Sequence, residues 1–146
     1  MEYLSELRRA VGSRPLIVAG ACVLIRDSVG RVLLHRRRDS GAWDVIGGSM
    51  EPGETFEQTA RREVREEIGL ELGDLQQLHV YSGPEFFHVY PDGDQAHHVG
   101  VAFQARASHG PVQPDSREVF EVAFFPLDAL PSALECGARR HLERLA

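Results

Sequence analysis

Apolar positions in this chain fall into blocks of two kinds, some reading as strands and some as helices. Residues 17–26 form an almost unbroken apolar run, the pattern of a buried strand. A Ser28–Gly30 turn leads into a second strand over 31–38, whose far end becomes basic. Residues 43–46 make a short strand feeding a loop with Gly47, Gly48, Pro52 and Gly53. Residues 75–81 and 85–90 read as extended, 91–94 as a turn, and 97–107 and 119–125 as further strands. Helical spacing appears in three places. Tyr3, Leu4, Leu7 and Val11 mark a short amphipathic helix over 2–11, and Pro131 precedes a C-terminal helix of about a dozen residues. Phe56, Ala60 and Val64 mark the third. Strands with interspersed helices predict a mixed α/β sandwich. With no internal repeat or long linker, residues 1–146 read as a single domain.

The third helix carries charge where a core-facing stripe should be apolar. At roughly 100° per residue with Phe56 at zero, Ala60 falls near roughly 40° and Val64 near roughly 80°. Glu67 falls near roughly 20° and Glu63 near roughly 340°, inside or beside that stripe, with Glu66 at its edge near roughly 280°. Gln58, Arg61 and Arg65 occupy the opposite, solvated side. Two like charges about 4 Å apart repel by roughly 4 kcal/mol at an effective dielectric of about 20. Such acids need a counter-charge, and gathered oxygen donors suit Mg²⁺ or Mn²⁺ better than zinc. The ends of the helix are legible too. Thr55 and Gln58 make a T-x-x-Q capping box, and Gly69 sits where a left-handed residue would stop the helix. The competing reading is a solvated charged helix, with Arg62–Glu66 as an ordinary i,i+4 pair.

Composition narrows the class. Hydrophobic residues make up 42% and charged residues 26%, as in ordinary globular domains. The net charge of −6 leaves no basic footprint for nucleic acid. Arginine supplies all 16 positive charges, so its planar fork is available for phosphates. Cys22 and Cys136 lack metal spacing and suit a reducing, cytoplasmic setting. The N-terminus is too polar for a signal peptide or membrane span. Its amphipathic segment offers a surface for a homodimer.

Residues Gly48–Leu70, GSMEPGETFEQTARREVREEIGL, fit G-x5-E-x7-R-E-U-x-E-E-x-G-U with U aliphatic. Gly48, Glu54, Arg62, Glu63, Glu66, Glu67 and Gly69 match every fixed position, and the segment resembles the signature of the Nudix hydrolase family. VGSRPLI, GRVLLHRRRDSGAW, YSGPEFFHVYPDGD and EVAFFPLDALP are similar to a bacterial Nudix subgroup, so the resemblance covers nearly the whole chain. It implies the Nudix α/β/α sandwich, with a mixed sheet and a glycine loop–helix catalytic motif. The activity it implies is Mg²⁺- or Mn²⁺-dependent hydrolysis of a pyrophosphate linkage in a small nucleoside diphosphate derivative. Glu63, Glu66 and Glu67 would be metal ligands, with the Gly47 carbonyl a further one. Arg62 is placed to orient the glutamates, while Glu54 would hold a metal-bound water or fix the loop. The general base would be a box glutamate or one on a later loop, where Glu118 stands, with Glu121 second. Arg37, preferred over Arg36 and Arg38, and Gly48 are the expected substrate contacts.

The sequence departs from the family's habits at two positions. Ile46 and Ser49 stand where members commonly have proline and sometimes a basic residue, which weighs against the type that cleans nucleoside triphosphates. The substrate stays open among ADP-ribose or a nucleotide sugar, a nucleoside triphosphate and a dinucleoside polyphosphate. A Nudix-fold sensor without turnover is the alternative function, and an acidic interaction domain a third. His35, His88 and the adjacent His97 and His98 read as structural or surface residues, and Trp43 as a core anchor. Phe86, Phe87 and Tyr90 would either stack on a base or cover a sheet edge.

Overall fold

The computed structural model describes residues 2–107 and 110–145. Its centre is β1 (Leu16–Arg26), buried on both faces along most of its length, as an apolar run without alternation requires. Ala21, Val23 and Ile25 project into one core, Cys22 and Leu24 into another. β1 lies parallel to β7 (Gln95–Arg106) in register from Leu16↔Ala96 to Arg26↔Arg106. Among the described residues every other strand pairing is antiparallel, with an isolated parallel bridge between Trp43 and Leu134 besides. β2 (Val32–Arg37) meets β1 at one residue pair and then runs between β3 (Trp43–Asp44) and β8 (Val119–Phe125). β4 (Ile46–Ser49) pairs with β1, while β5 (Gln76–Tyr81) and β6 (Phe87–Val89) pair with β7.

Helices cover both faces. α2 (Phe56–Ile68) sets Ala60, Val64 and Ile68 into the first core, and α3 (Cys136–Glu143) sets Ala138 and Leu142 into the second. The result is an α/β/α arrangement around a mixed, curled sheet. Each valine, leucine or isoleucine side chain so buried contributes about 1.5–3 kcal/mol, and each alanine less. α2 begins as its sequence dictates. Gln58 N–H donates to Thr55 Oγ1 at 3.1 Å, Thr55 N–H donates to Gln58 Oε1 at 2.9 Å, and Gly69 closes the helix at φ 69°.

Four local expectations change. The segment 43–46 is two strands rather than one, and Gly47 and Gly48 lie within β4 instead of a loop. Phe56, taken as the origin of the apolar stripe, is 37% exposed, whereas Thr59 is fully buried. Residues 84–86 form a 3₁₀ turn before β6. The C-terminal helix has eight residues and starts at Cys136, because the strand-like segment before it is tied to β3: Trp43 N–H donates to Ala133 O and Glu135 N–H to Trp43 O. The N-terminal helix, α1 (Glu2–Val11), buries no residue, but Leu4, Leu7, Arg8 and Val11 form a half-buried stripe turned onto the body.

Candidate active site

β4 carries glycines because two neighbours come too close for side chains. A Cβ on Gly47 would fall 2.7 Å from both Cα and Cβ of Cys22 on β1. A Cβ on Gly48 would collide with the carboxylate of Glu63 on α2. The two collisions differ in kind, since one is against backbone and the other against the tip of a side chain. Gly47→Ala is therefore expected to cost about 1–3 kcal/mol of stability. Gly48→Ala should melt close to wild type but displace Glu63, and so lose activity. Thermal melts and a nucleotide hydrolysis assay on both variants check this.

The acids meet around Arg62. Its Nε and Nη2 donate to both oxygens of Glu54 at 2.6 and 2.9 Å. Its Nη1 reaches Glu63 Oε1 at 2.9 Å and Glu66 Oε2 at 3.2 Å, and Nη2 also donates to Ser49 O at 2.9 Å. A fork shared in this way fixes helix, loop and strand at one point. Glu54 takes further hydrogen bonds from Thr59 Oγ1 and Glu51 N–H, and the hydrogen bond from Arg62 holds its carboxyl down at about 2. Burial pushes Glu63 up to about 7, against the pull of Arg62. Burial raises Glu67 well above the carboxylate range, and Glu63 and Asp44 nearby add to that. The Glu67 carboxylate accepts Gly47 N–H at 3.2 Å, so Gly47 meets this acid through its amide.

Glu63, Glu66 and Glu67 thus share one edge of the cleft without converging on one point. Among the described residues, no three His, Cys, Asp or Glu side chains stand in a metal-holding group. Arg62 draws Glu63 and Glu66 to itself. The donor set nonetheless fits a hard divalent ion: acceptor-only oxygens, two of them on carboxylates that burial makes costly to ionise without a cation.

The remaining predicted residues divide. Glu118 is exposed, lines the same cleft and raises the proton affinity of both Glu63 and Glu67. Glu121 instead faces Arg36 at 3.3 Å, outside the cleft lining. Arg37 lines the cleft, clamped by Asp39 at 2.7 and 2.9 Å, with Asp44 at 3.6 Å and the Tyr90 ring beneath it at 5.6 Å. Arg36 turns to Gly41 O, and Arg38, at the cleft margin, donates to Ser116 O. Trp43 is an anchor of the second core, edge-on to Phe125 at 4.8 Å.

Among the cleft residues that escaped the sequence reading are Asp44 and Glu135. Asp44 retains 22% exposure through the cleft, and burial holds its carboxyl at about 7 despite Arg37. Glu135 joins from the far end of the chain, its Oε1 accepting Ser40 Oγ at 2.8 Å. His98, read as structural, lines the cleft with Nε2 3.0 Å from Tyr90 Oη, and burial holds it down at about 4. An acid beside a core tryptophan in a two-residue strand was the available signal for Asp44. Nothing local marks Glu135.

The cleft has a volume of about 490 Å³, within the usual range for a small-molecule site. Ten acidic side chains and four arginines line it among the described residues. This excess of acids over arginines opposes a pyrophosphate that arrives without cations.

Comparison with known proteins places this geometry in a family. The family described as NUDIX domain matches residues 16–145. The chain is 32% identical over 127 residues to an NAD-capped RNA hydrolase NudC of Erwinia tasmaniensis, covering 84% of this chain and 45% of that one. It is 35% identical over 133 residues to an isopentenyl-diphosphate Delta-isomerase of Mycolicibacterium vanbaalenii, covering 86% and 70%. Among solved structures, a MutT NUDIX hydrolase from Burkholderia pseudomallei superposes with a TM-score of 0.75 at 27% identity, covering 91% of this chain and 99% of that one. The chain spans less than half the length of the NudC relatives it matches. No helix among the described residues is long and apolar enough to cross a membrane. With a family match over residues 16–145 and the fixed box positions carried by β4, the loop after it, α2 and the cap that ends α2, the chain belongs to the Nudix family.

Proposed function

We propose that this chain is a divalent-metal-dependent pyrophosphohydrolase acting on a small nucleoside diphosphate derivative. The observation that carries the reading is the pair of buried carboxylates, Glu63 and Glu67, set one turn apart on the cleft-facing side of α2 and held at Gly47 and Gly48. Glu63, Glu66, Glu67 and the Gly47 carbonyl would hold Mg²⁺ or Mn²⁺, which when bound would neutralise phosphate charge and lower the pKa of water. Arg62 keeps the acids in place, and Glu54, fixed by the same guanidinium, holds the loop against α2. Gly48, the other expected substrate contact, gives the room beside its backbone to the Glu63 carboxylate. Arg37 arrives already paired with Asp39, so it acts as an oriented donor rather than a free cation. Glu118, exposed beside the buried acids, is placed to accept a proton from water.

The all-acid box favours turnover over a sensor that only binds, since a binder gains nothing from carboxylates that cost stability. The relatives' named activities differ, on capped RNA, oxidised nucleotides and an isoprenoid diphosphate. The acidic cleft favours small molecules among these. Incubation of the pure protein with Mg²⁺ and ADP-ribose, a nucleotide sugar, nucleoside triphosphates and a dinucleoside polyphosphate tests the reading. Release of a nucleoside monophosphate product is expected, abolished by chelation. No metal-dependent cleavage of any of them would leave the sensor.

A further inference from the structure

α1 lies outside the matched family segment yet forms part of the cleft, through Leu4 and Arg8. With no buried residue, it is not held by a core. Polar contacts hold it at both ends. Tyr3 N–H donates to Glu51 Oε2 at 3.2 Å, on the loop where Glu51 N–H also meets Glu54. At the other end Arg8 donates to Gly12 O, Arg14 O and Gln95 O at 3.0, 2.6 and 2.5 Å, with Asp94 at 3.7 Å. Its side chain keeps only 12% exposure on a helix that has no fully buried residue. Ser13 Oγ adds a bond to Asp94 at 3.0 Å. The same turn carries Tyr90, whose N–H donates to Asp94 O at 2.8 Å. α1 therefore ties the loop of the acid site to the hairpin that bears the aromatic wall, and it turns its half-buried stripe inward.

We propose that α1 is a specificity element of the cleft: Leu4 contacts the organic group attached to the pyrophosphate, and Arg8 is the positioning residue that holds the helix there. The proposal rests on the hydrolase reading above. Leu4 supplies an apolar surface, which suits the face of a sugar or base and offers nothing to a phosphate. Neither residue touches the acids of α2, so each can change while the chemical step stays intact. The inward stripe also argues against α1 as the surface for a second copy of the chain.

Steady-state kinetics of Arg8→Ala and Leu4→Ser on the best nucleotide substrate, with Mg²⁺, test this. Both should raise KM by about tenfold with kcat within about twofold, the pattern of lost binding shared by ground and transition states. Hydrogen exchange gives a readout free of turnover. Amides in residues 6–11 should exchange faster in Arg8→Ala than in wild type, and more slowly in wild type once nucleotide is added. Unchanged KM in both variants, with α1 released in Arg8→Ala, would overturn the proposal and leave the hydrolase reading standing. A fall in kcat alone would overturn it as well, because α1 would then act through the acids. Failure of the wild type to turn over any nucleotide would remove the hydrolase reading and this proposal together.

Discussion

Glu67→Gln should lower metal-dependent turnover by roughly 10²- to 10³-fold, the scale of losing one group that stabilises developing charge. In the same protein it should raise the melting temperature at pH 8 without metal. Glutamine is isosteric and keeps an oxygen for Gly47 N–H, so the bond at 3.2 Å survives. What disappears is a buried carboxyl that, at alkaline pH, ionises beside Glu63 and Asp44. Removing a charge that neither solvent nor a counter-ion balances stabilises the fold. Opposite movements of activity and stability distinguish a site acid from a structural one. If Glu67→Gln loses both, the residue supports the fold and has no special place in the chemistry. Kinetics with Mg²⁺ and melts in chelator decide between them.

In metal-free protein, stability is expected to peak at about pH 5.5 and fall towards about pH 8. Two sets of groups with opposite signs produce the peak. Burial depresses His35 and His98 to about 4 and His141 to about 3, so they contribute stability that is complete above about 6.5 and lost as pH falls. Burial raises Glu63 and Asp44 to about 7 and Glu67 higher, so each costs stability as pH rises from the ordinary carboxyl value of about 4 to its folded value, and no more above it. Each acid that the fold keeps protonated costs about 1.4 kcal/mol per pH unit over that range. Glu54, held at about 2, titrates too low to matter here. Mg²⁺ should abolish the alkaline decline by binding the ionised form, and so raise the melting temperature by more at pH 8 than at pH 5.5. A flat profile from about pH 5.5 to 8, identical with and without Mg²⁺, would mean that these carboxyls are not strained by their burial.

The parts of the site legible in the sequence were the local ones. Helical periodicity placed Glu63 and Glu67 on the core-facing side of α2, and both are buried. The T-x-x-Q box and Gly69 set the ends of the helix because caps depend on neighbouring residues alone. The apolar run of β1 announced a buried strand, and the structure shows it covered on two sides. Gly47 and Gly48 misled, since glycine marks both a turn and a close approach, and only the position of Cys22 and Glu63 separates the two. Asp44 and Glu135 reach the cleft through pairings between distant segments, which no spacing encodes. The inward stripe of α1 was visible as amphipathicity, but what it faces depends on where the 91–94 turn lies.

The register of β1 and β7 has a further consequence for how the chain finds this fold. Every residue of the parallel pair meets one eighty positions along, from Leu16↔Ala96 to Arg26↔Arg106. Closing so large a loop returns no contacts until it is nearly complete, which slows folding. The unit from β4 to α2 is local by comparison and can take shape early. The acids of α2 would then wait, solvated and ionised, until late closure of the sheet encloses them. A divalent ion able to bind that early unit would reach its ligands before the fold makes them costly to charge.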